Sequence, residues 1–132
     1  VTSVGEDLIV YLAAQGIGTP GSDLWLGQIP DVQTAIALVE TGGPAPYHEY
    51  GDNAIDNPSI QVLVRNPNYL TGGAKADAIR DALDGTANET INGARYLSIS
   101  AMGDVAYLGK ISTAEGETHE FSINFATMRE RP

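Results

Sequence analysis

The sequence contains no cysteine, which removes disulfides, thiol catalysis and thiolate metal sites together. A cytosolic folding environment fits that absence. Basic side chains are scarce: seven Lys and Arg stand against seventeen Asp and Glu, for a formal net charge of −10. The seven (Arg65, Lys75, Arg80, Arg95, Lys110, Arg129 and Arg131) are scattered, and only the last two sit close together. Nucleic-acid binding depends on Lys and Arg displacing condensed counterions, and a surface this acidic repels phosphate instead. Tight DNA binding is not expected. No apolar run approaches the ~20 residues of a membrane-spanning helix. Residues 1–6 lack the basic stretch that opens a signal peptide, so none is expected. Val1 in place of methionine suggests a trimmed initiator or a numbering that starts after it.

What is present describes one ordinary globular domain over residues 1–132. The chain is 42% hydrophobic and 18% charged, which argues against disorder. Its length suffices for one hydrophobic core. There is no internal repeat and no low-complexity tract.

Residues 4–15 predict an amphipathic helix with Val4, Leu8, Ile9 and Leu12 on one face and Glu6 and Asp7 in the first turn. Ser3 stands at the N-cap position and Gly16 at the glycine stop. Extended segments follow at 23–26 and 34–40, with turn residues at 27–30 that suggest a hairpin or a loose pair. Residues 41–58, rich in Gly, Pro, Asn and Asp, predict one long irregular loop. In 59–65, Ile60, Val62 and Val64 alternate with Gln61, Leu63 and Arg65, which is a strand pattern. A second helix is expected over 69–83, with Leu70, Ala74, Ala78, Ile79, Ala82 and Leu83 buried and Gly85 ending it. The last third predicts an antiparallel meander. Residues 97–101 turn at Gly103-Asp104, 105–111 return, and 121–125 follow a polar loop at 112–118. The tail 129–132 is expected to fray. The sum is an α+β fold: a mostly antiparallel β-sheet with two helices packed on one face and a long loop between strands.

Each motif with chemical potential has a plainer explanation. Gly16-Ile17-Gly18-Thr19-Pro20-Gly21 has the letters of a dinucleotide fingerprint, but it follows a helix and precedes a strand, the reverse of what pyrophosphate binding needs. It reads as a helix stop and a turn. His48 has Glu49, Asp52 and Asp56 nearby, and His119 has Glu117 and Glu120. Neither has compact ligand spacing, so surface histidines among solvated acids are expected, with no metal and no cofactor. The 52–56 segment lacks the alternating ligands and central glycine of a calcium loop. Asp77, Asp81 and Asp84 line one side of the second helix, where Arg80 is at pairing distance from the first and last. No nucleophile elbow or phosphate loop occurs, so the chain has no residues for catalysis and is not expected to be an enzyme. What remains is surface. Tyr47 and Tyr50 suit either a protein interface or the domain's own core. The candidate interface comprises Tyr47, His48, Glu49, Tyr50, Asp52, Asp56, Arg129 and Arg131.

Several strings then combine in order. Ala37-Leu38-Val39-Glu40-Thr41-Gly42-Gly43 leads to Ser59-Ile60-Gln61-Val62-Leu63-Val64-Arg65, with Tyr69 after it. Ala82-Leu83-Asp84-Gly85 closes the helix. Tyr96-Leu97-Ser98-Ile99, Ala101-Met102-Gly103-Asp104, Tyr107-Leu108-Gly109 and Phe121-Ser122-Ile123-Asn124-Phe125 complete the series. Over most of 37–128 this order and spacing resembles the siphophage tail-terminator or minor capsid (head–tail joining) proteins. The resemblance implies a virion subunit, assembled in the host cytoplasm, that forms a homo-oligomeric, hexameric ring at the head-proximal end of the tail. Such a ring caps the tail tube protein and docks the tail to the head connector or stopper protein. Genome DNA would pass through its lumen without specific binding, and no membrane is involved. A heterologous interface closes into a ring when its rotation permits, and an acidic lumen would let DNA slide. The rival readings are a tail tube subunit or connector stopper of similar architecture, and a small-ligand or metal-binding module around His48.

Overall fold

The computed structural model describes residues 3–42, 47–48 and 54–130. Ser3 caps helix α1 (Val4–Ala14) by accepting a 3.2 Å hydrogen bond from the Glu6 N–H. Gly16, at φ 77°, turns the chain out of it, a conformation that costs glycine little. The glycine-rich stretch is the expected stop and turn, with the Thr19 carbonyl accepting from the N–H groups of Ser22, Asp23 and Leu24. Strands β1 (Leu24–Leu26) and β2 (Ala35–Gly42) follow. Of the expected hairpin or loose pair, they form the pair but not the hairpin. They run parallel, with Leu24 opposite Ile36 and Leu26 opposite Leu38, because the link between them carries the chain back to its starting end.

The expected long loop is partly strand: β3 (Tyr47–His48) and β4 (Ala54–Asp56) pair antiparallel. Strand β5 (Ser59–Asn66) shows the alternation seen in its sequence, with Ile60, Val62 and Val64 buried. Helix α2 (Tyr69–Leu83) begins at Asn68, whose side chain accepts from the Thr71 N–H at 3.1 Å. Strands β6 (Thr86–Ile91), β7 (Ala94–Ala101), β8 (Ala106–Thr113) and β9 (Gly116–Glu130) complete the chain.

Strand β9 organises the sheet. One of its edges pairs with β5 and then β4, the other with β8 and then β7, and β6 adds outside β7. The expected meander is therefore corrected. Strands β7 and β8 are not partners across Gly103-Asp104; each lies antiparallel to β9, one beyond the other. The polar loop expected at 112–118 shrinks to a tight connection, since β8 runs to Thr113 and β9 starts at Gly116. The tail does not fray at Arg129, which is inside β9 and only 8% exposed.

Both helices cover the face that carries Ile36, Leu38, Ile60, Val62, Val64, Phe121, Ile123 and Phe125, and all of these share one core with Leu8, Leu12, Ile79 and Leu83. Burying this apolar surface supplies the main folding drive. Of the stripe expected on α2, Ile79 and Leu83 are buried, but Gly72 and Ala76 complete it, Ala74 and Ala78 are exposed and Leu70 is 79% exposed. The reason is close approach: a Cβ on Gly72 would sit 2.7 Å from a ring carbon of Phe121. Glycine and alanine thus mark the face that touches the sheet. The larger Leu70 projects outward.

Candidate functional site

Two features stand out once the core is accounted for: an exposed aromatic cluster and a buried charged network. The cluster forms where the first turn of α2 meets β8 and β9. Tyr69 and Tyr107 meet edge to face with centroids 5.0 Å apart, a geometry that aligns the positive ring edge with the negative face. Phe121 lies beneath, 5.5 Å from Tyr69 and 5.3 Å from Tyr107. His119 joins them, its Nδ1 2.8 Å from the Tyr107 hydroxyl and its ring 5.6 Å from Tyr69. Leu70 and Leu108, each next in sequence to one of the tyrosines, are 79% and 51% exposed. Single exposed apolar residues carry no message, but a contiguous group marks an interaction surface.

The network lies at the other end of β9. Asp7, in the first turn of α1, is fully buried. Its carboxylate accepts from the Tyr96 hydroxyl at 2.5 Å and from Asn92 Nδ2 at 3.2 Å, and faces the Arg129 guanidinium at 3.4 Å. Arg129 also reaches Asp56 at 3.8 Å, and its guanidinium carbon stands 6.0 Å from the centre of the Tyr96 ring. A carboxylate out of water is tolerated only with such partners. The network joins α1, β4, β7 and β9.

Burial, together with the hydrogen bond to Asp7 and its charge, pushes the Tyr96 hydroxyl well above its ordinary value near 10, and Arg129 opposes the shift weakly. Below about pH 10 the tyrosine is neutral in both folded and unfolded chains, so the contribution is fully present there. Above it the unfolded chain ionises first, and stability falls as pH rises, by at most about 1.4 kcal/mol per pH unit. Denaturant melts on wild type and Tyr96→Phe across this range check the expectation: the variant should lose that component of the alkaline slope.

The residues singled out in the sequence distribute unevenly. Glu49, Tyr50, Asp52 and Arg131 lie outside the described residues, as do the side chains of Tyr47 and His48. Asp56 and Arg129 are brought together, but inside the subunit, where Arg129 is a buried partner of Asp7. His119 does not sit among solvated acids: its partners are aromatic, and Glu120 pairs with Arg65 at 2.8 Å. Arg80 pairs with Asp104 at 3.5 Å instead of Asp77 or Asp84, and Asp84 accepts from the Ala101 N–H. Sequence reading missed Asp7 as a buried group. A signal existed, since Asp7 lies three residues after Val4 and so falls on the buried stripe of α1. It also missed Tyr69, Leu70, Tyr107 and Leu108 as exposed surface.

The fold and its surface define a class: an α+β subunit whose outward chemistry suits docking. The chain belongs to the bacteriophage tail terminator protein family, whose family model matches residues 11–131. The comparison with curated proteins gives no match. Among solved structures, a chain from the virion of a native gene transfer agent particle has the same fold, with a TM-score of 0.50 and 17% identity. That alignment covers 92% of this chain and 85% of the other.

Proposed function

We propose that the chain is the tail terminator of a siphophage-type particle, with no enzymatic activity of its own. In this reading copies close into a hexameric ring at the head-proximal end of the tail. The ring caps the tail tube and docks the tail to the head connector. The observation that carries this is the family match over residues 11–131. The domain's own chemistry supports it. Its outward apolar surface suits a protein contact, and a net charge of −10 suits a lumen through which DNA slides without sticking.

The test is an assembly reaction with tail tube protein, with and without this chain, read by electron microscopy. Tubes of uniform length bearing a ring at one end are expected when it is present, and tubes of unregulated length when it is absent. Incorporation of the chain along the whole tube would instead make it a tube subunit. Identical tube lengths in both reactions would end the terminator reading.

A further inference from the structure

The surface around Tyr69 and Tyr107 has a second property that separates it from the rest of the molecule. Of the described cations, Arg65, Arg80, Arg95 and Arg129 each face a carboxylate, and Lys75 donates to the Ile17 carbonyl at 3.1 Å. Lys110 has no such partner among the described residues, and it is exposed. It stands opposite His119 on β9, as Tyr107 stands opposite Phe121, so by strand alternation it shares the face of the aromatic cluster. The first turn of α2, which presents Tyr69 and Leu70, carries no acidic side chain. A chain with net charge −10 thus keeps one apolar surface with an unmatched cation at its border.

We propose that this surface, formed by Tyr69, Leu70, Tyr107, Leu108 and Lys110, is where a second copy of the same chain docks, through an acidic face of that copy. The inference rests on the ring reading, since ring closure requires one face of each copy to meet a different face of the next. Charge favours that arrangement. Patch against patch would oppose Lys110 to itself, whereas elements away from the patch expose acids such as Glu6 on α1 and Glu89 on β6. Tyrosine at the centre of the patch supplies contact area at low entropic cost. The contact runs through side chains, not through an added strand. Among the described residues β8 pairs only with β9, but its register shift between Tyr107 and Gly109 and its exposed Lys110 blunt it against strand addition.

Light scattering of the full chain across concentration tests this, on wild type, Leu70→Glu/Leu108→Glu, Lys110→Glu and Lys110→Arg. The wild type is expected to rise to a closed multiple of the subunit mass, and the double variant to stay at subunit mass. Its melting temperature should be unchanged, because both leucines are exposed. Lys110→Glu should weaken assembly about tenfold or more, because it sets a carboxylate against an acidic face and like charges across an interface repel strongly, and Lys110→Arg should preserve it. A double variant that assembles like wild type overturns the docking surface and leaves the ring reading standing. A wild type that stays at subunit mass throughout also overturns self-docking. If tail tube protein then binds the wild type and not the double variant, the occupant is the tube. The terminator reading is judged separately by tube length.

Discussion

Replacing Asp7 with alanine is expected to destabilise the domain by about 3–5 kcal/mol, the usual result of removing one partner from a buried ion pair. The change removes little apolar contact; its cost lies in what stays behind. Arg129, 8% exposed, loses the carboxylate at 3.4 Å, a closer approach than the 3.8 Å one to Asp56. The Tyr96 hydroxyl, fully buried, loses its 2.5 Å acceptor. Total stabilities of about 5–15 kcal/mol are typical of such domains, so this single substitution takes a large share. Tyr96→Phe is expected to cost less, about 1–3 kcal/mol, because it deletes a donor and leaves the charge pair intact. Urea unfolding of the two variants beside wild type ranks them. If Asp7→Ala proves no worse than Tyr96→Phe, the ion pair is not what holds α1 to the end of β9. A triple exchange of Asp7, Tyr96 and Arg129 for apolar residues of matching volume should recover much of the loss, since well-packed hydrophobic replacements of buried ion networks are often neutral or better.

The contrast between what local chemistry revealed and what it hid is clearest at the two ends of the helices and along β9. Both helices were legible almost to the residue. Their signals are local: Ser3 before the first turn, Gly16 after the last, and Gly85 beyond Leu83. Strand β5 was legible because alternate burial writes a period of two into its sequence. The face of α2 was read correctly at Ile79 and Leu83 but misread in its first half, because the close contact with Phe121 is made through Gly72, which no hydrophobic pattern scores. Strand β9 was read only at its centre, residues 121–125. Its flanks carry Thr118, Thr127 and Arg129, which look like loop and tail. Their burial is supported by groups distant in sequence. Thr118 Oγ1 donates to the Gln33 carbonyl at 2.6 Å, and Thr127 Oγ1 to the Pro58 carbonyl at 2.7 Å. Arg129 finds Asp7, separated from it by 122 positions. A pattern along the chain cannot show partners of that kind. The docking surface was hidden for the same reason. Tyr69 and Tyr107 meet only because α2 packs over β9 beside β8, so residues that look like core stripe and strand become outward surface.

The long central strand also sets the second large expectation. Truncating Phe125 to alanine should cost about 3–5 kcal/mol, from lost apolar burial plus the cavity left behind. The side chain is fully buried, and its position magnifies the effect. Phe125 is paired with Ile60 of β5 on one side and Ala101 of β7 on the other, near the point where the second edge of β9 passes from β8 to β7. A cavity there loosens both halves of the sheet together, so they should fail as one unit. The single tryptophan, Trp25, lies in β1 at the far end of the β1-β2-β5-β9 order and makes this measurable. Its fluorescence follows the sheet edge while far-UV circular dichroism follows the whole fold. In the Phe125→Ala variant both signals should shift to lower denaturant by the same amount, as two-state unfolding requires. If the Trp25 transition stays at its wild-type midpoint while the dichroism moves, β1, β2 and β5 hold together without the centre of β9. The sheet would then be two units joined by one strand, not a single cooperative body.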